Sequence, residues 1–288
     1  MSRYHILVPV DFSELSRSAL QTAVKMAGLF EGKITPIHVM VPVTEIDEPF
    51  AAHIRYDFDK MQQDALARLN EVAGESVPAE LLEPGKVIFG NPAQSIVEEA
   101  RGADLVIMGS HGRTGFSRIM LGSVAEKVLR MSPVPVMVVK SDSDVDNFAD
   151  ILVTTDFSEN AKAAYPLALA IAKKTNAKLE LLHVLSYGQL DRDETDQLVE
   201  DLREERLRII KGEVFHEVGA RVTTRLITSE ASPHEAIAEY VSRNPCHLLI
   251  MSTVGRTGLN YLMLGSTTAN VVRHVPHAVL SVRPPKPA

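Results

Sequence analysis

Short apolar runs alternate with longer segments whose apolar residues recur at helical spacing, and the whole alternation occurs twice along the chain. Residues 6–10, 34–39, 86–89, 105–108 and 136–139 are nearly all apolar, which predicts strands buried on both faces. Between the first two lies an alanine-rich segment headed by Ser13, a predicted N-cap because its hydroxyl can accept from the free amides of a first helical turn. Ile54, Phe58, Met61, Ala65, Leu69 and Val72 mark the apolar stripe of a long surface helix, and 92–101 and 122–131 predict shorter ones. From residue 151 the order restarts, with apolar runs at 151–153 and 179–184 and Ser158 as the second candidate cap. A less regular helix carries Leu198, Leu202, Ile209 and Val214, and two additional residues fall near Asn244 and Pro245. Continuously apolar strands separated by helices imply a parallel sheet covered on both faces. Each half is therefore expected to be a doubly wound, Rossmann-like α/β domain with a five-stranded parallel sheet flanked by helices.

The repetition extends to the residues themselves. Ile-Leu-Val-Pro-Val-Asp-Phe-Ser-Glu at 6–14 returns as Ile-Leu-Val-Thr-Thr-Asp-Phe-Ser-Glu at 151–159, and GSHGRTGFSRIMLGS at 109–123 returns as STVGRTGLNYLMLGS at 252–266. With 288 residues, each copy has ordinary domain size. The stretch 140–150 is short, acidic and serine-bearing, which suits a linker, so the expected domains are 1–146 and 147–288 with the boundary near Asp146.

Composition narrows the partners. A formal net charge of −7 with dispersed Lys and Arg offers no concentrated basic face, which argues against a grip on nucleic acid. The single Cys246 excludes an intrachain disulfide framework, and its place before an apolar run predicts a small buried filler. The chain shows neither a basic-then-apolar leader nor an apolar run of membrane-spanning length, so a cytoplasmic location away from membranes is expected. The mixed charges of 191–208 predict a solvated helix face with i,i+4 pairs.

The glycine-bearing loop carries the chemistry. Gly109 follows the apolar run 105–108, and in an open α/β sheet ligands favour the crevice beyond the carboxyl ends of the strands. Gly109 and Gly112 can bring bare backbone to a ligand, while Gly122 and Ser123 stand where the next helix begins, offering amides, a hydroxyl and the positive end of a helix dipole to a phosphate. The spacing is neither a Walker loop nor the compact dinucleotide fingerprint. Taken alone, the same glycines also serve to turn the chain and admit the following helix to the sheet, and the residues leave both readings open.

Gly-x-x-Gly, nine residues, then Gly-Ser, preceded by Asp-Phe-Ser after the first strand and His-Val at the end of the second, resembles the universal stress protein family, twice and over nearly the whole chain. The resemblance implies a tandem protein of the ATP-binding type in a stress-response context. It implies that Gly109, Gly112, Gly122, Ser123 and the amide of Val124 hold phosphates, that Asp11 lies by the ribose or adenine with Pro9 beside it, and that the backbone of Val39 reads the adenine edge. The second-half counterparts are Asp156, Val184, Ser252, Gly255, Gly265, Ser266 and Thr267. There Gly109 is replaced by Ser252, Pro9 by Thr154 and His111 by Val254, so binding is expected mainly in the first half. A serine is expected to narrow the approach and to tolerate positive φ poorly.

Other polar residues have plainer readings. His38 and His183 read as satisfied histidines at strand ends, and Met120 and Met263 as packing residues. Arg113 and Arg256 either clamp a phosphate or stand in solvent. The cradle is visible but the metal-holding carboxylates and nucleophile-positioning group of a phosphoryl transferase are not. The expected function is therefore an adenine-nucleotide-binding regulatory protein taking ATP, ADP or AMP, with or without Mg2+. The alternatives are a nucleotide-independent interaction scaffold and a slow ATPase or self-phosphorylating protein. The resemblance implies that last-strand edges pair between domains, so 134–139 and 278–282 are expected to pair within the chain and bury two exposed edges, with a homodimer of the whole chain as an option.

Overall fold

The computed structural model describes residues 4–41, 58–112, 121–141, 143, 148–187, 194–255 and 264–285. The chain clusters into two compact units, Met1–Phe116 with Gly122–Val134, and Ser117–Leu121 with Pro135–Ala288. Among the described residues no helix is long and apolar enough to cross a membrane.

The first unit runs β1 (His5–Pro9), α1 (Glu14–Phe30), β2 (Lys33–Met40), α2 (Phe58–Ser76), β3 (Lys86–Phe89), α3 (Pro92–Glu99), β4 (Leu105–Gly109) and α4 (Ser123–Met131). Its strands lie in the order β3-β2-β1-β4, all parallel, with Leu7 opposite Thr35 on one side and Val106 on the other. Ile6, Leu7, Val8, Leu105, Val106 and Ile107 are all but sealed from solvent, as continuous apolar strands require. Each such side chain stabilises the fold by about 1.5–3 kcal/mol. The Ser13 cap forms as expected, its side chain accepting from the Ser16 amide at 3.2 Å. Ala19, Ala23 and Ala27 bury the narrow face of α1, so the helix packs closely on the sheet.

The second unit holds β5 (Val136–Val139), β6 (Asp150–Thr154), α5 (Tyr165–Thr175), β7 (Lys178–Ser186), α6 (Glu194–Val214), β8 (Val222–Ser229), α7 (Pro233–Arg243), β9 (Leu248–Ser252), α8 (Ser266–His274) and β10 (Ala278–Val282). Its order is β5-β10-β9-β6-β7-β8, parallel throughout except that β5 runs antiparallel to β10, Met137 facing Leu280. The fold class is thus the expected doubly wound α/β type. The strand that the repeat register gives to the first copy, β5, groups with the second unit.

Three local expectations change. Ser158 caps no α-helix: its hydroxyl accepts from the Ala161 amide at 3.1 Å, a 3-10 turn spans Ala161–Ala164, and the α-helix begins only at Tyr165. Pro166 sets that start, because a proline inside a helix begun at 159 would lack its amide and collide with the preceding turn. On α6 the charged pairs form, Arg208 bridging Glu204 and Glu205, but Leu198, Leu202 and Ile209 lie exposed while Leu207, alone among the described side chains of this helix, is sealed. The linker is anchored at both ends, since Lys140 and Phe148 are buried. Asp146 and Ile54 lie outside the described residues.

Candidate functional site

The site of the first unit is assembled at the carboxyl ends of β1 and β4. Beyond Pro9, Phe12 adopts a left-handed φ of 66°, a conformation costly for a bulky side chain. Its ring is held against the His38 ring, centroids 4.5 Å apart, with the Arg68 guanidinium 4.3 Å over it. His38 Nδ1 donates to the Val10 carbonyl at 2.7 Å, so this histidine is satisfied within the fold as expected. The tight turn holds Asp11 in place: its Oδ1 accepts from the Ser13 amide at 3.1 Å and the Ser13 hydroxyl at 2.6 Å. A Cβ on Gly112 would collide with Asp11 Oδ2, so a side chain there would force this carboxylate from its place.

The other wall comes from the start of α4. Gly122 is its N-cap and has no side-chain cap bond, so the first-turn amides and the helix dipole meet the cavity at Ser123 and Val124. Gly122 donates to the Ser110 carbonyl at 2.7 Å, and a Cβ there would sit 3.2 Å from His111 Cα. Pro9, Asp11, Val39, Gly109, Gly112, Gly122, Ser123 and Val124 all line one cavity of about 280 Å3. Arg113 lies outside the described residues, as do Met120, Arg256 and Met263.

Pro92 and Ile96 of α3 also line this cavity and were missed from the sequence. The repeat held the signal. Asn91-Pro92 with Ile96 recurs as Ser232-Pro233 with Ile237, and Pro233 and Ile237 line the corresponding second cavity. In each case a side-chain cap starts the helix, Asn91 accepting from the Gln94 amide and Ser232 forming a capping box with Glu235, so that the fifth residue after the cap delivers an isoleucine to the cavity.

Asp156, Val184, Ser252, Gly255, Gly265, Ser266 and Thr267 line that second cavity, of about 240 Å3. Much of the geometry repeats: Phe157 has φ 64°, the Ser158 amide and hydroxyl donate to Asp156 Oδ1, and His183 Nδ1 donates to the Thr155 carbonyl. The chemistry does not. Thr155 replaces Val10 and shares a 2.6 Å hydrogen bond with Tyr165, whose phenol burial holds above its ordinary pKa. Thr268 donates to the Ser252 carbonyl at 2.8 Å, and Asn160 Nδ2 donates to the Gly255 carbonyl at 3.2 Å, tying the loop.

The Gly109 to Ser252 exchange acts through space rather than φ. Neither residue is among the described positions of positive φ. A Cβ on Gly109 would lie 2.9 Å from Leu15 Cβ on α1, whereas the second half has Asn160 at that position, ahead of a 3-10 turn. Ser252 fits there at the end of β9, its hydroxyl donating to the Val254 carbonyl at 3.0 Å.

The model of the universal stress protein family matches residues 3–140 and 147–283. A universal stress protein of Mycolicibacterium smegmatis is 26% identical over 304 residues, covering 98% of each chain. One from Methanocaldococcus jannaschii is 35% identical over 143 residues, spanning 47% of this chain and 81% of its own. Among solved structures, a universal stress protein from Archaeoglobus fulgidus superposes with a TM-score of 0.71 at 26% identity, covering 98% of this chain and 99% of its own.

Proposed function

Because the chain belongs to the universal stress protein family, we propose that it is an adenine-nucleotide-binding regulatory protein whose first half, residues 1–146, holds the principal site and whose second half, 147–288, keeps the fold with an altered cavity. The observation that carries this reading is the convergence, around one cavity, of an uncapped helix start at Gly122, a fixed carboxylate at Asp11 and glycine-only contacts at Gly109 and Gly112. A helix N-terminus beside bare backbone suits phosphate, and a carboxylate beside the loop suits a ribose hydroxyl. The apolar wall of Pro92 and Ile96 suits the flat face of a purine.

Binding one conformation better than another, the nucleotide shifts the population that a partner recognises, in a stress-response setting. Asp11 is the one carboxylate among the described lining residues, and its Oδ1 is already engaged by Ser13. No group of three His, Cys, Asp or Glu side chains suited to a metal occurs among the described residues, so any Mg2+ arrives on the nucleotide phosphates. Turnover, where it occurs, is slow on this account. The antiparallel register of β5 against β10 supports a pairing of the two repeats through their last strands, and a cytoplasmic site of action fits the nucleotide.

The second half supports a separate reading as an interaction module, favoured by the Asn160 to Gly255 tie and by Val254 in place of His111. Equilibrium dialysis of the full chain with labelled ATP tests the main reading, paired with Gly122→Val, which forces a branched side chain against the backbone of residues 110 and 111. Saturable binding lost in the variant is expected; no saturable binding by the wild type overturns the reading.

A further inference from the structure

The two cavities differ at several lining positions, and one of these lies beside the start of α4. His111 lines the first cavity and Val254 the second. His111 Nδ1 lies 3.0 Å from the hydroxyl of Ser110, a residue sealed from solvent, so one ring nitrogen is held by the protein. The backbone of His111 in turn abuts Gly122, the N-cap of α4, placing the imidazole beside the helix start. Resting on the nucleotide reading above, we propose that His111 makes the first cavity select ligands that carry a phosphate, and that the second cavity, with Val254, accepts the nucleoside portion without such a demand.

The chemistry runs through hydrogen-bond donors. With Nδ1 accepting from the Ser110 hydroxyl, Nε2–H is the group left to meet a ligand oxygen. An N–H donor beside helix-start amides favours an anionic oxygen over a neutral hydroxyl. Among the described residues, the other titratable groups of the cavity wall and of the first turn of α4 are few. Asp11 on the β1–α1 turn presents Oδ2 to Gly112, His38 on β2 spends Nδ1 on the Val10 carbonyl, and Glu126 occupies the first turn of α4. From α3 the lining residues are Pro92 and Ile96, which carry no charge. Val254, buried beside Ser252 in the second cavity, offers no donor from its side chain. That cavity places its extra hydroxyls elsewhere, with Thr154 and Thr155 at the β6 end.

Calorimetric titration of the full chain with ATP and with adenosine tests this, comparing wild type, His111→Val, His111→Asn and Val254→His. The expected result is a fall of about tenfold in the ratio of ATP to adenosine affinity in both His111 variants, with adenosine affinity itself kept. Val254→His is expected to raise ATP affinity at the weaker site. An unchanged ratio in both His111 variants, or an equal loss of ATP and adenosine pointing to packing alone, overturns the proposal. Wild type that binds adenosine but prefers it to ATP also overturns it while leaving a nucleoside site standing; wild type that binds neither removes the nucleotide reading and this inference together.

Discussion

The two halves begin with the same Asp-Phe-Ser turn and end their loops on the same Gly-Ser helix start, yet the elements between them are built differently. In the first, Leu15 on a helix begun at Glu14 presses against β4 so closely that only glycine fits at 109. In the second, Pro166 delays the helix to Tyr165, a 3-10 turn takes its place, and Ser252, Asn160 and Thr268 fill the space with hydrogen bonds among themselves and the loop. The difference teaches that one proline upstream can release a glycine requirement elsewhere. A cavity can thus keep its outline while its walls change from open backbone to satisfied side chains.

Exchanging features between the halves breaks this comparison most directly. Gly112→Ala drives a methyl into Asp11 and is expected to lower nucleotide affinity at least tenfold, while Gly255→Ala, whose methyl would lie 2.8 Å from Asp156 Oδ2, costs less in total binding because the second cavity contributes less; isothermal titration of both variants measures the gap. Gly109→Ser imports the second-half residue against Leu15 and should destabilise the protein by about 1–3 kcal/mol, read from chemical denaturation. Ser252→Gly, losing the two hydroxyl bonds to the Val254 carbonyl and amide, should cost about 1 kcal/mol. Equal losses at 109 and 252 would contradict the packing explanation.

The residues after the last strands of each copy sharpen the comparison through pH. Lys140 is buried, its Nζ donating to the Arg273 carbonyl at 3.2 Å, and burial pushes its pKa down to about 8 from 10.5. The counterpart Arg283 is also lowered by burial, but a guanidinium stays charged. Between pH 8 and 10.5 the unfolded lysine binds a proton that the folded one has released, so stability rises with pH across that window, by about 1–3 kcal/mol. Lys140→Arg should abolish the rise, measured as the difference in Tm from wild type at pH 8 and 10. The comparison must be made between proteins, because Cys246, pushed up to about 12 by burial, and Tyr4, pushed up to about 12 likewise, both contribute stability that is lost as pH rises above their unfolded values. The smallest effect concerns Cys246 itself: a disulfide reagent at neutral pH should leave it unmodified until the protein is unfolded.

Much of this was legible in the sequence because periodicity is a local signal. The strands 86–89 and 136–139 appear with the bounds that their apolar runs dictate, and the Ser13 cap follows from a hydroxyl at the head of an alanine-rich segment. Most cavity-lining positions were legible through the loop glycines and the family resemblance, whereas Pro92 and Ile96 were missed although the second copy repeats them. What the sequence concealed depends on neighbours distant along the chain. Phe12 and Phe157 carry no local mark of a left-handed backbone; aromatic rings and guanidinium groups from other elements hold them there. The failed helix at Ser158 was decided by Pro166, eight residues beyond the cap that seemed to announce it. For Gly109 the expected approach of bare backbone was legible, but the φ argument does not apply there, and the contact with Leu15 that requires glycine is a tertiary fact.

The central claim is that one fold, repeated, holds one principal nucleotide site. Native mass spectrometry of the full chain titrated with ATP, run on wild type, Gly122→Val and Gly265→Val, counts ligands per chain directly. The account predicts one tightly held nucleotide, lost in Gly122→Val and kept in Gly265→Val; two equivalent nucleotides, or one that survives Gly122→Val and disappears with Gly265→Val, would contradict it.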